Sequence, residues 1–189
     1  MSRSIKILGI AGSLRKDSYN RAALAASLEL APDDVDMTTF ELDSLPGFNQ
    51  DHEKNPPEEV VRLKQAIRAA DAVLFVTPEY NYSIPGVLKN AIDWASRPYG
   101  DSAFDGKVAA VMGASIGRVG TARAQYHLRQ CFVFLNVPIL NRPEVMIGNA
   151  ADQFDDQGRL TNDKTRQMIG QLLGNLADLA RLYRRDAAG

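Results

Sequence analysis

Short apolar runs alternate along the chain with longer segments of helical period. Several of the runs are rich in β-branched residues and end near glycine or proline, which is typical of strands that are covered on both faces. The predicted strands are 5–10, 35–42, 72–77 and 107–112, with 138–140 and 145–147 as candidates for a last strand. The predicted helices are 20–30, 56–70, 85–95, 121–135 and 161–184.

This alternation predicts a parallel sheet that is built with right-handed crossovers and covered by helices on both faces. Five strands favour a flavodoxin-like three-layer α/β sandwich with strand order 2-1-3-4-5 over a six-stranded dinucleotide fold. Because no repeat or linker interrupts the pattern, we expect one domain over residues 1–189. The polar stretch 149–162 is predicted to be an exposed loop.

Composition excludes several classes of function. Net charge is −1, so there is no basic excess for nucleic acid, and no apolar run approaches the roughly 18 residues of a membrane span. The single cysteine, Cys131, rules out an intrachain disulfide and a cysteine-based metal cluster, and it fits a cytoplasmic protein. Its neighbours 132–135 are apolar, so we expect a buried thiol. His52 and His127 lack metal-ligand spacing, and no metal is expected.

The loop after the first strand has the composition of a phosphate cradle. Gly12 permits a sharp turn, and the side chains of Ser13, Ser18 and Asn20 are hydrogen-bond donors at the start of a helix. Arg15 adds a forked cation that suits a phosphate. A simple helix cap by Ser18 or Asn20 explains the same residues equally well. The loop lacks the Walker pattern, so a magnesium-bound nucleotide is not expected.

The loop after the third strand, 77–86, is suited to a flat ring with a polar rim. Two prolines stiffen it, and Tyr80 and Tyr82 can pack on an aromatic system such as an isoalloxazine. Glu79 has a second interpretation, in which its carboxylate caps the following helix or binds the loop backbone.

The loop after the fourth strand is rich in small residues. Ser115 can donate from its hydroxyl and its amide, and the glycines let the backbone approach a ligand closely. The spacing of Gly113, Gly117 and Gly120 differs from a dinucleotide fingerprint, and it follows the fourth strand rather than the first. A Rossmann site is therefore the less favoured interpretation.

Together, segments 12–20, 78–86 and 113–129, the last with Arg123-Ala124-Gln125, resemble the NADPH-dependent FMN reductase family. Within that family the sequence is similar to the chromate and quinone reductase branch, over nearly the whole chain. The resemblance implies a flavodoxin-like fold, noncovalent FMN, and NAD(P)H as co-substrate. It also implies a ping-pong cycle in which a hydride passes through N5 of the flavin.

The resemblance also implies where the cofactor binds. The first loop would hold the phosphate, the backbone of 78–83 would hold the ring, and the third loop would lie beside it. Since the chemistry occurs on the flavin, no side chain is assigned as catalytic. The predicted cofactor-binding residues are Ser13, Arg15, Ser18, Tyr19, Asn20, Pro78, Glu79, Tyr80, Asn81, Tyr82, Ser83, Ser115 and Gly117.

The resemblance also implies a homodimer or homotetramer with active sites at the subunit contacts. In this branch, residues that match Arg123, Tyr126 and Glu144 look like an intersubunit hydrogen-bonded network. The alternative is a half-buried Tyr126 and an Arg123 that pairs within its own helix.

The acceptor and the donor specificity stay open at this point. Quinones, chromate, azo compounds, nitro compounds and free flavin all fit an open flavin face, and NADH is not distinguished from NADPH. A flavodoxin-type electron carrier is disfavoured because such carriers are strongly acidic, whereas this chain is nearly neutral. A non-redox module that binds another phosphate ligand is the third hypothesis.

Overall fold

The computed structural model describes residues 4–186 and contains one five-stranded parallel sheet in the order β2-β1-β3-β4-β5, which confirms the predicted flavodoxin-like fold. The strands are β1 (Ile5–Ala11), β2 (Val35–Phe40), β3 (Ala72–Val76), β4 (Val108–Ala114) and β5 (Val145–Ile147). The helices are α1 (Tyr19–Glu29), α2 (Glu58–Ala69), α3 (Gly86–Ala95), α4 (Ala122–Phe134) and α5 (Asp163–Asp186). No helix of the described chain is both long and apolar enough to cross a membrane.

The sheet separates two hydrophobic cores because side chains alternate between its faces. Ile5 and Ile7 of β1 face the core that is completed by α1 and α5. Leu8 and Ile10 face the core that is completed by α2, α3 and α4. Every residue of β3 and β4 is buried, as expected for central strands covered on both sides. Because every strand pair is parallel, the carboxyl ends of all five strands lie along one edge of the sheet.

Element bounds agree with the predicted ranges to within two residues. Of the two candidates for the last strand, 145–147 pairs with β4, whereas Ile139 forms only an isolated bridge with Ala109. The prediction of an exposed loop over 149–162 is wrong in part, because Phe154 and Leu160 are buried in the core beside α1 and α5. Two isolated apolar residues in a polar segment have no period from which burial could be predicted.

The prediction of a buried Cys131 is also wrong, because its side chain is only half-buried. Of its apolar neighbours, Phe132 lies in the core, whereas Val133 and Phe134 are 79% and 78% exposed. Successive helical residues point about 100° apart, so four consecutive apolar residues cannot share one buried face.

The ends of β3 and β4 lie in very close contact. A Cβ atom on Gly113 would sit 2.1 Å from the Thr77 carbonyl oxygen and 2.2 Å from the Thr121 hydroxyl oxygen, so only glycine fits. This approach brings the loop after β3, the loop after β4 and the start of α4 together at the carboxyl edge of the sheet, where open α/β sheets bind ligands.

Candidate functional site

The start of α1 presents unpaired backbone donors. Ser18 is the N-cap, and its hydroxyl oxygen accepts a hydrogen bond of 3.2 Å from the Asn20 amide. Within residues 4–186, the backbone N–H groups of Tyr19 and Arg21 meet no protein acceptor. These groups and the positive end of the helix dipole suit an anion.

Asn20 has a different role from the predicted one. Its side-chain amide donates to the Ala114 carbonyl at 2.9 Å, and its oxygen accepts from the Ala114 amide at 2.8 Å. The residue is 3% exposed. Both ends of the amide thus bind β4 and not an open cradle, so the prediction that this side chain holds a phosphate does not match the geometry. Asn20 instead fastens the first loop to the third.

The other predicted residues of the first loop surround these donors. Ser13 is buried, and Gly12 packs against Pro78 and Leu88, so the first and second loops touch. Arg15 is exposed and, in the described part of the chain, pairs with no carboxylate. It lines a groove of about 1070 Å³ that also includes Ile116 of the third loop.

Tyr19 lies to one side of this arrangement. Its ring is 5.4 Å from that of Phe154, measured between centroids. The contact joins the start of α1 to the segment before α5, and both residues line the groove that contains Arg15.

The second loop contains a tight hairpin turn that the sequence analysis did not predict. The amides of Tyr80 and Ser83 donate to each other's carbonyls at 3.0 and 2.9 Å. Between them, Asn81 and Tyr82 have φ of 49° and 66°, the pattern of a type I′ turn. A left-handed conformation costs a tyrosine on the order of 1–2 kcal/mol. Asn81 was the available signal, since asparagine tolerates this region better than other residues.

Tyr82 gains a compensating contact at the tip of this hairpin. The Arg123 guanidinium lies 3.8 Å from the centre of the Tyr82 ring, which is a cation–π geometry. Tyr80 is half-exposed, and Tyr82 is 71% exposed. The hairpin thus holds two aromatic rings at the protein surface on a backbone with little freedom.

Glu79 caps a helix, but not the helix that follows it. Its carboxylate accepts hydrogen bonds from the backbone amides of Arg123 at 3.0 Å and Ala124 at 3.2 Å, at the start of α4. It also pairs with the Arg123 guanidinium, and its side chain is 7% exposed. Thr121 is the N-cap residue of α4, but its side chain makes no capping hydrogen bond, so the Glu79 carboxylate caps the helix instead. Because the side chain faces α4, Glu79 can offer a ligand only its backbone.

The third loop is fixed to the end of β5. The Ser115 amide donates to the Ile147 carbonyl at 2.9 Å, and its hydroxyl oxygen accepts from the Gly117 amide at 3.2 Å. Ile116 is 74% exposed and Val119 is also exposed. The loop has a hydrogen-bonded base and an apolar tip, which suits the edge of a flat organic ring.

Arg123, Tyr126 and Glu144 do not form one network within the chain. Arg123 pairs with Glu79, so the alternative that it pairs within its own helix is wrong. The Tyr126 hydroxyl donates to the Glu144 carboxylate at 2.9 Å. This hydrogen bond and the negative charge of Glu144 raise the pKa of the Tyr126 phenol. Tyr126 is 52% exposed, more than the half-buried position that the alternative interpretation expected.

The Tyr126–Glu144 contact leads to a titration prediction. In Glu144→Gln, the pKa of Tyr126 should fall toward the ordinary value for tyrosine, because an amide neither repels the phenolate nor accepts as strongly. The measurement is an NMR titration of the tyrosine Cζ carbons, with Tyr126→Phe to assign the signal. An unchanged Tyr126 midpoint in Glu144→Gln would show that the two side chains are not paired in solution.

A second cleft lies between α3 and α4 and has a volume of about 690 Å³. Its walls include Phe48, Tyr99 and Phe134, and it contains none of the predicted cofactor residues. Cys131 lines it, and burial raises the pKa of that thiol, which makes it a poor nucleophile. We assign the candidate site to the three loops, since they lie at the carboxyl edge of the sheet.

The described residues also define what kind of cofactor the site suits. No three His, Cys, Asp or Glu side chains between residues 4 and 186 come together as a metal site. The site instead offers backbone donors and Arg15 for an anion at one end. The second loop adds a hydrogen-bonded hairpin with two exposed tyrosines, and the third loop adds the exposed apolar side chain of Ile116.

Comparison with known proteins gives concordant results. The sequence profile described as NADPH-dependent FMN reductase matches residues 5–152. The chain is 56% identical over 174 residues to an NAD(P)H-dependent FMN reductase of Pseudomonas aeruginosa, covering 92% of this chain and 94% of that protein. It is 47% identical over 185 residues to a quinone reductase of Pseudomonas putida, covering 97% and 99%. The solved structure of FerB, a flavoenzyme NAD(P)H:(acceptor) oxidoreductase from Paracoccus denitrificans, superposes with a TM-score of 0.87 at 37% identity, over 95% of this chain and 98% of that one.

Proposed function

Because the chain belongs to the NADPH-dependent FMN reductase family, we propose that it uses noncovalent FMN to pass electrons from NAD(P)H to quinones. The observation that carries the proposal is the convergence of three loops at the carboxyl edge, with anion donors at one end and a rigid aromatic hairpin at the other. The quinone reductase of Pseudomonas putida, which matches over nearly its whole length, supports quinones as acceptors.

The residues present fit FMN. A phosphate at the start of α1 would meet the N–H groups of Tyr19 and Arg21, the Ser13 hydroxyl and the Arg15 guanidinium. Asn20 would act by holding this loop against β4. Of these contacts, the hydrogen bonds from the charged Arg15 guanidinium are expected to be the strongest, because charge-assisted hydrogen bonds are stronger than those from neutral donors.

The ring end fits through backbone and aromatic groups. The side chains of Glu79 and Arg123 are committed to each other, so residues 78–83 would contact the ring through their backbone and the exposed Tyr80 and Tyr82. Ser115 and Gly117 would approach from the third loop, where the absence of a side chain at Gly117 keeps the space open.

When bound, FMN supplies the redox chemistry, a hydride taken from NAD(P)H and two electrons given to the acceptor. The chain's own residues bind and orient. Arg15 and the free amides of α1 would neutralise the phosphate, and the hydrogen-bonded type I′ turn fixes how Tyr80 and Tyr82 are placed relative to each other. The exposed side chains of Ile116 and Tyr82 give the third and second loops apolar tips, and a nicotinamide and a quinone would bind beside these loops in turn, as a ping-pong cycle requires.

Several finer assignments remain predictions. They are activity toward chromate, azo compounds, nitro compounds and free flavin, a homodimeric or homotetrameric assembly that involves Arg123, Tyr126 and Glu144, and a cytoplasmic location. Val133 and Phe134 are adjacent on α4 and 79% and 78% exposed, and contiguous exposed apolar side chains of this kind support a subunit contact there.

A visible spectrum before and after anaerobic NADPH tests the proposed function. We expect a yellow protein whose flavin absorbance is bleached by NADPH or NADH and restored by benzoquinone. A protein that stays colourless after incubation with FMN would favour a non-redox phosphate-ligand module. Bound flavin that neither NADPH nor NADH reduces would favour a flavodoxin-type carrier.

A further inference from the structure

Ser83 and His127 form a hydrogen-bonded pair beside the second loop, and the mechanism above does not use it. The Ser83 hydroxyl oxygen lies 2.8 Å from Nδ1 of His127. Ser83 closes the rigid hairpin, and His127 is an exposed residue of α4. The pair therefore joins solvent to the segment that is proposed to hold the ring.

The proposed reaction requires a proton that the cofactor does not supply. A quinone takes up two electrons and two protons, and a hydride equivalent carries both electrons with only one of the protons. Imidazole is the side chain that exchanges protons most readily near neutral pH. A serine hydroxyl can accept one hydrogen bond while it donates another, so it can pass a proton on.

We propose, on the basis of the proposed quinone reduction, that His127 supplies this second proton through Ser83. The Nδ1–H bond of charged His127 breaks as the Ser83 oxygen takes the proton, and the Ser83 O–H proton passes to the anionic oxygen of the two-electron-reduced quinone. Hydroquinone leaves, and neutral His127 regains a proton from water because its ring is exposed. Ser83 is the group that touches the acceptor, and His127 is a positioning residue that acts through it.

The charged groups around the pair occur as ion pairs. Arg123, one helical turn before His127, is paired with Glu79 from the second loop. On α3, Lys89 and Asp93 pair at 2.6 Å and face the following turn of α4. Among residues 4–186, the second loop and α3 therefore set no uncompensated charge against the imidazole.

A purely structural role for the Ser83–His127 hydrogen bond is the alternative. The hairpin is already tied to α4 by the Glu79 cap and by the contact between Arg123 and Tyr82. An exposed hydrogen bond adds only about 1 kcal/mol to such a junction. The hairpin therefore stays attached to α4 without the Ser83–His127 hydrogen bond. A variant that slows only with acceptors that need a proton would show that the pair transfers protons.

The kinetic test compares two acceptors in the holoenzyme of His127→Gln. With benzoquinone, we expect the oxidative half-reaction to slow about tenfold or more, the lower range for loss of general acid catalysis, because water can deliver some protons. Ferricyanide takes one electron and no proton, so its rate should stay within about twofold. His52→Gln, which changes the only other histidine, is the matched control and should affect neither acceptor.

The pH profile and NMR chemical shifts provide independent readouts. With benzoquinone, the wild-type rate should fall as pH rises, because fewer protons are available to the relay, whereas the His127→Gln rate should depend less on pH. In the holoenzyme, Ser83→Ala should shift the ring-nitrogen resonances of His127 and leave those of His52 unchanged. Unshifted resonances would show that the pair does not exist in solution.

The outcomes separate this inference from the proposed function. If His127→Gln slows equally with both acceptors, or with neither, and the protein still oxidises NADPH, the proton relay is refuted and the proposed function is not. A wild-type protein that binds FMN but does not oxidise NADPH, whichever acceptor is supplied, would instead refute the proposed function. A benzoquinone defect that appears in His127→Gln and not in His52→Gln would support the relay.

Discussion

Replacing Asn20 with alanine is expected to lower the free energy of unfolding by about 3 kcal/mol. The change removes two buried hydrogen bonds to the backbone of Ala114, of 2.9 and 2.8 Å. It leaves an N–H and a C=O group buried without partners, and each such group costs about 1–3 kcal/mol. Urea denaturation of the FMN-free protein measures this directly, since bound ligand would add its own stabilisation.

Ser27→Ala is the matched control on the same helix. Ser27 is also buried, and its hydroxyl donates to the Ala23 carbonyl at 2.9 Å, one turn earlier in α1. That carbonyl keeps its helical partner when the hydroxyl is removed, so the loss should be about 1 kcal/mol or less. If Asn20→Ala costs no more than Ser27→Ala, the tie between α1 and β4 does not contribute as the structure indicates.

Replacing Arg15 with alanine is expected to weaken FMN binding about 10- to 150-fold, which corresponds to about 1.5–3 kcal/mol for a hydrogen bond to a charged group. The reason is the proposed contact between the guanidinium and the phosphate. Titration of the FMN-free variant, followed by flavin fluorescence, measures the affinity. Folding should be unaffected, because Arg15 is exposed.

Riboflavin and Arg21→Ala make this experiment specific. Riboflavin lacks the phosphate, so Arg15→Ala should leave its affinity unchanged. The Arg21 side chain lies in the same groove but pairs with Glu41 at 3.1 Å. Arg21→Ala removes this side chain and keeps the backbone N–H, so it should change the affinity for FMN little. An equal loss of FMN and riboflavin affinity in Arg15→Ala would place the arginine at the ring and contradict the phosphate assignment.

The fold could be predicted from sequence because its determinants are local. A continuous apolar run such as 72–76 permits little except a strand covered on both faces, and helical periods between such runs require crossovers. The positions of the three loops follow from the strand order. The family resemblance rested on the same loops, and the profile match over 5–152 confirms it.

The roles of individual site residues could not be predicted in the same way. Asn20 bonds to a residue 94 positions away, and Glu79 caps a helix that begins more than 40 positions later. Such partners are fixed by how the elements assemble, which a local pattern does not encode. The side chains of Asn20 and Glu79 could hydrogen-bond to a ligand, but in the structure they bind backbone groups of the protein instead.

The turn at 80–83 has a consequence for protein engineering. It is closed by two main-chain hydrogen bonds, so what it requires of the residues at its tip is a left-handed backbone and not a particular side-chain contact. Libraries at positions 81 and 82 that are limited to glycine, asparagine and aspartate, which accept a left-handed backbone, should preserve the scaffold while they reshape the entrance. Acceptor range could then be retuned for bulky dyes without rebuilding the cofactor cradle.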